Sequence, residues 1–158
     1  MEGQAQNPYK APEAEVENES SGSLEDVFDR FSAWGVFGLS IITFGIYSLY
    51  WHISRTKRIN DRMEYQIGSV FINVAIGFWV LAFFGNLGEF LPEPFMILLG
   101  VAGIGNLVTY FMWVYKIRAA IHSHVNAEKG TYAWANAFLT IFGSLYLQYK
   151  INKIIDNE

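Results

Sequence analysis

Residues Phe31–Arg62 read FSAWGVFGLSIITFGIYSLYWHISRTKRINDR, and this stretch decides the fold. It is uncharged as far as Ser54, which is long enough for a helix to cross the hydrocarbon core of a bilayer. Two tyrosines and a tryptophan then crowd together, as is typical of a membrane interface. Four bases follow within eight residues and predict a cytoplasmic membrane edge: Arg55, Lys57, Arg58 and Arg62.

Three more apolar segments follow the first, and together the four lie at about residues 31–54, 66–88, 94–115 and 131–149. Hydrophobic residues make up 52% of the chain and charged residues only 16%, below the roughly 25% that is usual in soluble domains. We therefore predict an all-α membrane protein with about four transmembrane helices, formed by residues 23–158.

The N-terminal segment has a different composition. Eight of the fifteen acids fall within residues 1–30, and large apolar residues are nearly absent before residue 23. Such a segment buries too little apolar surface to offset the entropy of ordering. Residues 1–22 are predicted to form a disordered acidic tail.

Two glycines leave the topology open. Segments one and four both carry a Phe-Gly pair in mid-run, and Gly45 and Gly143 are the candidate helix breaks. If both segments span, the termini lie outside and seven bases lie inside. If both are re-entrant, the termini are cytoplasmic and all eleven bases lie inside. The positive-inside rule favours the second arrangement, whereas segment length and backbone hydrogen bonding favour the first, which we expect.

Small and polar residues in the central segments predict helix contacts. Glycines cluster in segment three, where they let helix backbones approach closely, and segment two carries one amide in mid-membrane. The predicted packing residues are Gly100, Gly103, Gly105 and Asn73.

One pattern in the first segment resembles a known family. Residues 39–51, LSIITFGIYSLYW, and the following Arg55-x-Lys57-Arg58-Ile59-Asn60 resemble the signature of small bacterial integral membrane proteins known only as a domain of unknown function, number forty-two thirty-four. A similar pattern occurs in YjgN-type inner-membrane proteins, which usually carry leucine where Phe44 stands here. The resemblance implies a multi-pass protein of the bacterial cytoplasmic (inner) membrane and supplies no catalytic residue.

The residue inventory argues against an enzyme. The chain has no cysteine, and its apolar segments hold no carboxylate pair and no zinc motif, so we predict no catalytic residue, no metal site and no cofactor. No basic face suggests nucleic acid. The first hypothesis is a non-catalytic membrane module that binds lipid with anionic headgroups, or a partner protein, through the aromatic and basic edge Tyr47–Arg62 and the glycine face of segment three. An equally simple interpretation is that these bases only fix the topology.

The second hypothesis is a small transporter or channel subunit. Segments one and four, each interrupted by a glycine, would line the path, as do the broken helices of repeat-built transporters. Four short helices are few for a pore, so this hypothesis requires a homo-oligomer.

Overall fold

A computed structural model describes residues 23–85 and 92–158, and of residues 93 and 94 it describes the backbone. Over these residues the chain is all-α, as predicted. The predicted disordered tail, residues 1–22, lies outside the described residues. The helices are α1 (Leu24–Val27), α2 (Ala33–Ile42), α3 (Ile46–Arg62), α4 (Ser69–Gly85), α5 (Glu93–His124) and α6 (Gly143–Ile155), with a 3-10 turn at Leu139–Phe142 before α6.

Helix α5 dominates the structure. Within the described residues it is the one helix whose length and composition suit a membrane span, over Phe95–His124, while α2 and α4 are shorter apolar helices. Only 11% of its most apolar window is buried, so this surface is not the core of a soluble protein. The third apolar segment was expected to end at about residue 115, but the helix continues as far as His124. The helix continues because Ile117 and Ile121 are buried in the hydrophobic core.

Segment one is not a continuous helix. Helix α2 ends at Ile42 and α3 begins at Ile46, with Gly45 in the left-handed region at φ 89°. The Thr43 hydroxyl serves both helices, because it donates to Leu39 O (2.7 Å) and accepts from the backbone N–H of Tyr47 (2.9 Å). Phe44 lies at the tip of the resulting α2–α3 hairpin, 86% exposed.

Segment four is also interrupted. Helix α6 begins only at Gly143, and three side chains of α5 bind the preceding non-helical backbone. The backbone N–H of Ala135 donates to His122 Nε2 (2.9 Å), and Arg118 Nε donates to Ala135 O (2.8 Å). The Tyr115 hydroxyl donates to the carbonyl of Ala137 (2.8 Å). These contacts explain how the apolar run over 131–149 contains backbone that is not helical.

Both interrupted segments return to the end at which they begin, and in segment four Lys150 Nζ of α6 donates to the carbonyl of Tyr132 (2.5 Å). The Ser23 hydroxyl donates to the Glu158 carboxylate at 2.5 Å, and Arg30 pairs with Asp156 at 2.7 Å. Arg58, near the end of α3, pairs with Asp29, just before α2. The first and last described residues therefore lie together with the end of α3, at what we call the basic end. Its core is apolar and includes Leu24, Val27, Phe28, Ile59, Ile117, Ile121, Ile151 and Ile154.

The Gly143 backbone generates a testable prediction. Its φ is 59° with ψ −131°, a conformation that suits glycine, and an added Cβ would overlap the Tyr110 hydroxyl. We expect Gly143→Ala to destabilise the protein by about 2 kcal/mol or more, measured as the apparent Tm in detergent by tryptophan fluorescence.

The matched control is Gly38→Ala, which lies within α2 and meets nothing within 4 Å. We expect it to be neutral or to stabilise by about 0.5–1 kcal/mol. Adding Tyr110→Phe to Gly143→Ala removes the overlapping hydroxyl and should recover part of the loss. Equal Tm values for Gly143→Ala and Gly38→Ala would contradict the assigned backbone conformation.

Candidate functional site

Arg55 is one of two buried charged residues in the described chain, the other being Lys150. Arg55 lies on α3 at the basic end and is only 7% exposed. Its guanidinium lies over the rings of Phe28 and Trp51, with Cζ 5.2 and 5.7 Å from the ring centroids. Within the described residues no carboxylate forms a salt bridge with it, and its Nε has no hydrogen-bond partner.

A buried amide holds Arg55 in place. Gln148 on α6 is 0% exposed, and its Oε1 accepts from Arg55 Nη2 (2.8 Å) and from Trp51 Nε1 (2.9 Å). Gln148 Nε2 donates to Asn152 Oδ1 (3.0 Å), and Asn152 Nδ2 donates to the carbonyl of Phe31 (2.7 Å). One polar network thus joins residues of α3 and α6 to Phe31, which lies two residues before α2.

Arg55 opens onto a groove of about 210 Å³ that we call the arginine groove. It runs between α3 and the segment that connects α1 to α2, and it combines three arginines with aromatic and hydroxyl groups. Its lining residues are Asp29, Arg30, Phe31, Tyr47, Tyr50, Trp51, Ser54, Arg55 and Arg58. Such a lining is suited to an anion, because guanidinium and hydroxyl groups are hydrogen-bond donors.

The other predicted bases have different surroundings. Arg58 donates to the Val27 carbonyl (3.2 Å) and pairs with Asp29, and this hydrogen bond and charge hold the pKa of Asp29 below its usual range. Arg62 donates to the Asp26 carbonyl. Lys57 is exposed and does not line the arginine groove. The four bases therefore do not form one surface, and Arg55 and Arg58 are the two that the groove brings together.

The predicted packing residues also differ from one another in their surroundings. The ring of Phe78 lies against Gly105, where an added Cβ would come within 2.5 Å of Phe78 Cε1. An added Cβ at Gly100 or Gly103 would meet nothing within 4 Å. Asn73 is exposed on α4. The predicted helix-packing role of these residues remains a prediction.

Sequence reasoning missed the residues that position Arg55. Gln148 and Asn152 form the buried amide network, and Phe28 supplies an aromatic face. A signal was present, because Gln148 stands within the shortest apolar run, where an unpaired amide is costly. Its partners are 93 and 97 residues away in the chain, and no local pattern indicates them.

Comparison with known proteins gives one match. Residues 31–157 match the model of a protein family described as "Domain of unknown function (DUF4234)". The match begins at the first residue of the stretch quoted above and extends through α6. No curated protein and no solved structure matches the chain.

The Gln148 network generates a second prediction. Gln148→Leu leaves two buried donors, Arg55 Nη2 and Trp51 Nε1, without their acceptor. Because each such orphan costs about 1–3 kcal/mol, we expect a clear drop in the apparent Tm. Gln148→Glu keeps an acceptor beside the Arg55 charge and should lose less. A larger loss for Gln148→Glu than for Gln148→Leu would contradict the assigned role of Oε1.

The Asp29–Arg58 pair generates a third prediction. Because Arg58 lowers the pKa of Asp29, the pair stabilises the fold fully above the unfolded-state pKa of about 3.9. This contribution is lost as the pH falls through the folded-state pKa. The pair is solvent-exposed, so we expect Asp29→Asn to cost at most about 1 kcal/mol near pH 7, with the difference shrinking below about pH 4.

The measurement is the apparent Tm of parent and variant between pH 7 and pH 3. Asp61→Asn is the matched control, because Asp61 is exposed on α3 and belongs to neither of the described salt bridges. A difference between parent and Asp29→Asn that stays constant over this range would exclude the proposed contribution.

Proposed function

We propose that this chain, which belongs to the family described as Domain of unknown function (DUF4234), is a non-catalytic module of the bacterial inner membrane that binds anionic lipid headgroups in its arginine groove. The observation that carries the proposal is the environment of Arg55. The Arg55 guanidinium is 7% exposed, its Nε has no hydrogen-bond partner, and it forms no salt bridge with a described carboxylate. These features suit the binding of an anion.

The energetics support an anionic ligand. Burying a charge is costly unless it is paired, and among the described residues the one side-chain acceptor of Arg55 is the neutral oxygen of Gln148. A phosphate that enters the groove would supply the missing negative charge. Guanidinium groups bind phosphate with strong, charge-assisted hydrogen bonds, each contributing about 1.5–3 kcal/mol.

The size and edges of the groove favour a headgroup. At about 210 Å³ it is smaller than the 300–1,000 Å³ typical of drug-sized ligands, so a phosphate and its nearest atoms are the expected occupant. Tyr50 is largely exposed at its edge, and Ser54 lies one turn further along α3. Both hydroxyl groups are able to donate to phosphate oxygens.

The membrane placement follows from the exposed apolar surface. Helix α4 and the apolar part of α5 pair closely, and most of their large apolar side chains face outward, including Val70, Val74, Ile97, Val101 and Ile104. A surface of this kind is expected to contact lipid tails. We therefore place α4 and α5 across the bilayer, with the α2–α3 hairpin and the segment at 139–155 as re-entrant elements.

The ion pairs at the basic end support cytoplasmic termini. The chain before α2 and the chain after α6 meet there beside the end of α3, through Arg30–Asp156 and Arg58–Asp29. If both interrupted segments re-enter, every base of the chain faces the same side of the membrane, as the positive-inside rule prefers. Of the two topologies that the sequence allows, this geometry favours the re-entrant one.

Cysteine labelling tests the topology. Because the chain has no cysteine of its own, only the introduced cysteines can react. Single cysteines are placed at Ser20 and after Glu158 and exposed to an impermeant maleimide in cells whose outer membrane is permeable. The re-entrant arrangement predicts protection of both until the inner membrane is disrupted. Labelling of both from the periplasm would support four full spans instead.

A lipid titration tests the binding proposal. Native mass spectrometry of the full chain in detergent would compare phosphatidylglycerol with the zwitterionic phosphatidylcholine. We expect Arg55→Gln to weaken phosphatidylglycerol binding about tenfold, because it removes one charge-assisted contact of about 1.5 kcal/mol or more. Lys57→Gln removes the same charge from the same helix outside the groove and should weaken phosphatidylglycerol binding clearly less than Arg55→Gln does.

A second variant separates binding from folding. Tyr50→Phe removes one hydroxyl from an exposed side chain of the groove, so it should weaken phosphatidylglycerol binding without lowering the apparent Tm. Equal weakening by Arg55→Gln and Lys57→Gln would reject the groove and leave the bases with a topological role.

A further inference from the structure

Burial along α5 is uneven. Near the basic end, five of its apolar residues are buried: Trp113, Val114, Ile117, Ala120 and Ile121. Over residues 95–108, Ala102 is the one buried residue, and Ile97 is 77% exposed. This far part of α5 packs on α4, where the ring of Phe78 lies against Gly105. Within the described residues, other helices therefore enclose the basic-end part of α5 and leave most of its far part exposed.

Contacts with α5 give the depth of both interrupted segments. The His52 ring of α3 lies 5.2 Å from the Tyr110 ring of α5, measured between centroids. Because α3 runs toward the basic end, its first residue lies about 9 Å farther from that end than His52 does. Phe44 at the hairpin tip accordingly lines one cavity together with Gly103 of α5. In segment four an added Cβ at Gly143 would overlap the Tyr110 hydroxyl, so this segment turns back near the level of Tyr110.

Neither interrupted segment is long enough to cross the bilayer. Helix α5 rises about 30 Å from Phe95 to Tyr115, which equals the thickness of the hydrocarbon core, and Gly103 lies near the middle of this span. Helix α2 has 10 residues and is therefore only about 15 Å long. The two turns end in apolar side chains, since Phe44 is 86% and Phe142 is 62% exposed. In the described chain, five helices thus enter the leaflet at the basic end, whereas α4 and α5 alone continue through the opposite leaflet.

We propose that the protein is wider in the leaflet at its basic end than in the opposite leaflet, and that it therefore prefers a lipid surface that is convex on the basic-end side. Bending a bilayer gives the convex leaflet more area than the concave leaflet. The side that holds more helices is accordingly favoured on the convex face, and helices that insert into one leaflet are sensitive to curvature for the same reason. This inference rests on the re-entrant topology proposed above and does not involve the arginine groove.

Membrane tethers drawn from giant vesicles test the inference on the full chain. The vesicles consist of phosphatidylcholine alone, so no anionic headgroup contributes, and the outer leaflet of a narrow tether is strongly convex. A single cysteine after Glu158 reacts with an impermeant fluorescent maleimide and marks the molecules whose basic end faces outward. If these molecules are first blocked with a non-fluorescent maleimide, a permeant fluorescent maleimide marks those whose basic end faces inward.

We expect the outward-facing molecules to be enriched in the tether relative to a lipid dye, and the inward-facing molecules to be depleted. A general effect of the tether on membrane proteins would give both orientations the same sign. Arg55→Gln should distribute as the parent does, which separates this inference from the binding of anionic headgroups. Equal tether-to-vesicle ratios for the two orientations, or enrichment of the inward-facing molecules, would overturn the inference.

A depth measurement checks the geometry directly. A bimane fluorophore is attached to Phe44→Cys or to Ile97→Cys, both of which replace exposed side chains. Nitroxides placed deep or shallow on the lipid acyl chains then quench the fluorophore according to its depth. We expect the deep nitroxide to quench at position 44 and the shallow nitroxide to quench at position 97, and the same depth for both positions would contradict the proposed shape.

The cysteine labelling of the two termini in cells reports the topology independently. If both termini are labelled from the periplasm, the re-entrant topology fails and this inference fails with it. If both are protected and the two orientations still distribute equally in the tether, the topology stands and the curvature preference alone is rejected.

Discussion

The buried amide of Gln148 is the interaction on which the arrangement of the two interrupted segments depends. Its oxygen accepts from Trp51 and Arg55 of α3, and its nitrogen donates to Asn152, which in turn binds the backbone at Phe31. Each of these groups would be costly to bury alone, and together they satisfy one another. The network therefore fixes α6 against α3 and the start of α2, and it brings both interrupted segments back to the same end of the molecule.

A second constraint is the hydrogen bonding of interrupted backbone. In an apolar environment each unpaired peptide group costs several kcal/mol, so a break in a helix needs local partners. Thr43 supplies them at the first break by serving both flanking helices. At the second break the partners come from α5, whose Tyr115, Arg118 and His122 side chains bind the backbone at Ala135 and Ala137. These hydrogen bonds hold the end of α5 against the non-helical chain that precedes α6.

The sequence predicted the helical class, because hydrophobic runs are local signals. It offered Gly45 and Gly143 as candidate helix breaks, and α3 and α6 begin at Ile46 and Gly143. It did not predict the full length of α5, since the burial of Ile117 and Ile121 depends on residues from α3 and α6. It also grouped Arg55, Lys57, Arg58 and Arg62 by their spacing along the chain. Burial by Phe28 and bonding to Gln148 separate Arg55 from the others, and both partners are distant in sequence. The local sequence pattern therefore shows where the charged residues lie along the chain. Tertiary contacts decide which of these side chains are buried and which are already paired.

The difference between Arg55 and Lys57 follows from hydration. An exposed lysine at a membrane surface attracts anionic lipid by about 1 kcal/mol, and it does so for any headgroup within a Debye length. A guanidinium that the fold has already removed from most of its water has less hydration to lose when an anion arrives, and its fork of donors is held in one orientation by Gln148. Orientation of this kind favours a phosphate with defined geometry over diffuse negative charge. Under the proposed lipid binding, the network that fixes the fold at the basic end would also orient Arg55 toward a phosphate, so that stability and ligand preference would depend on the same amide.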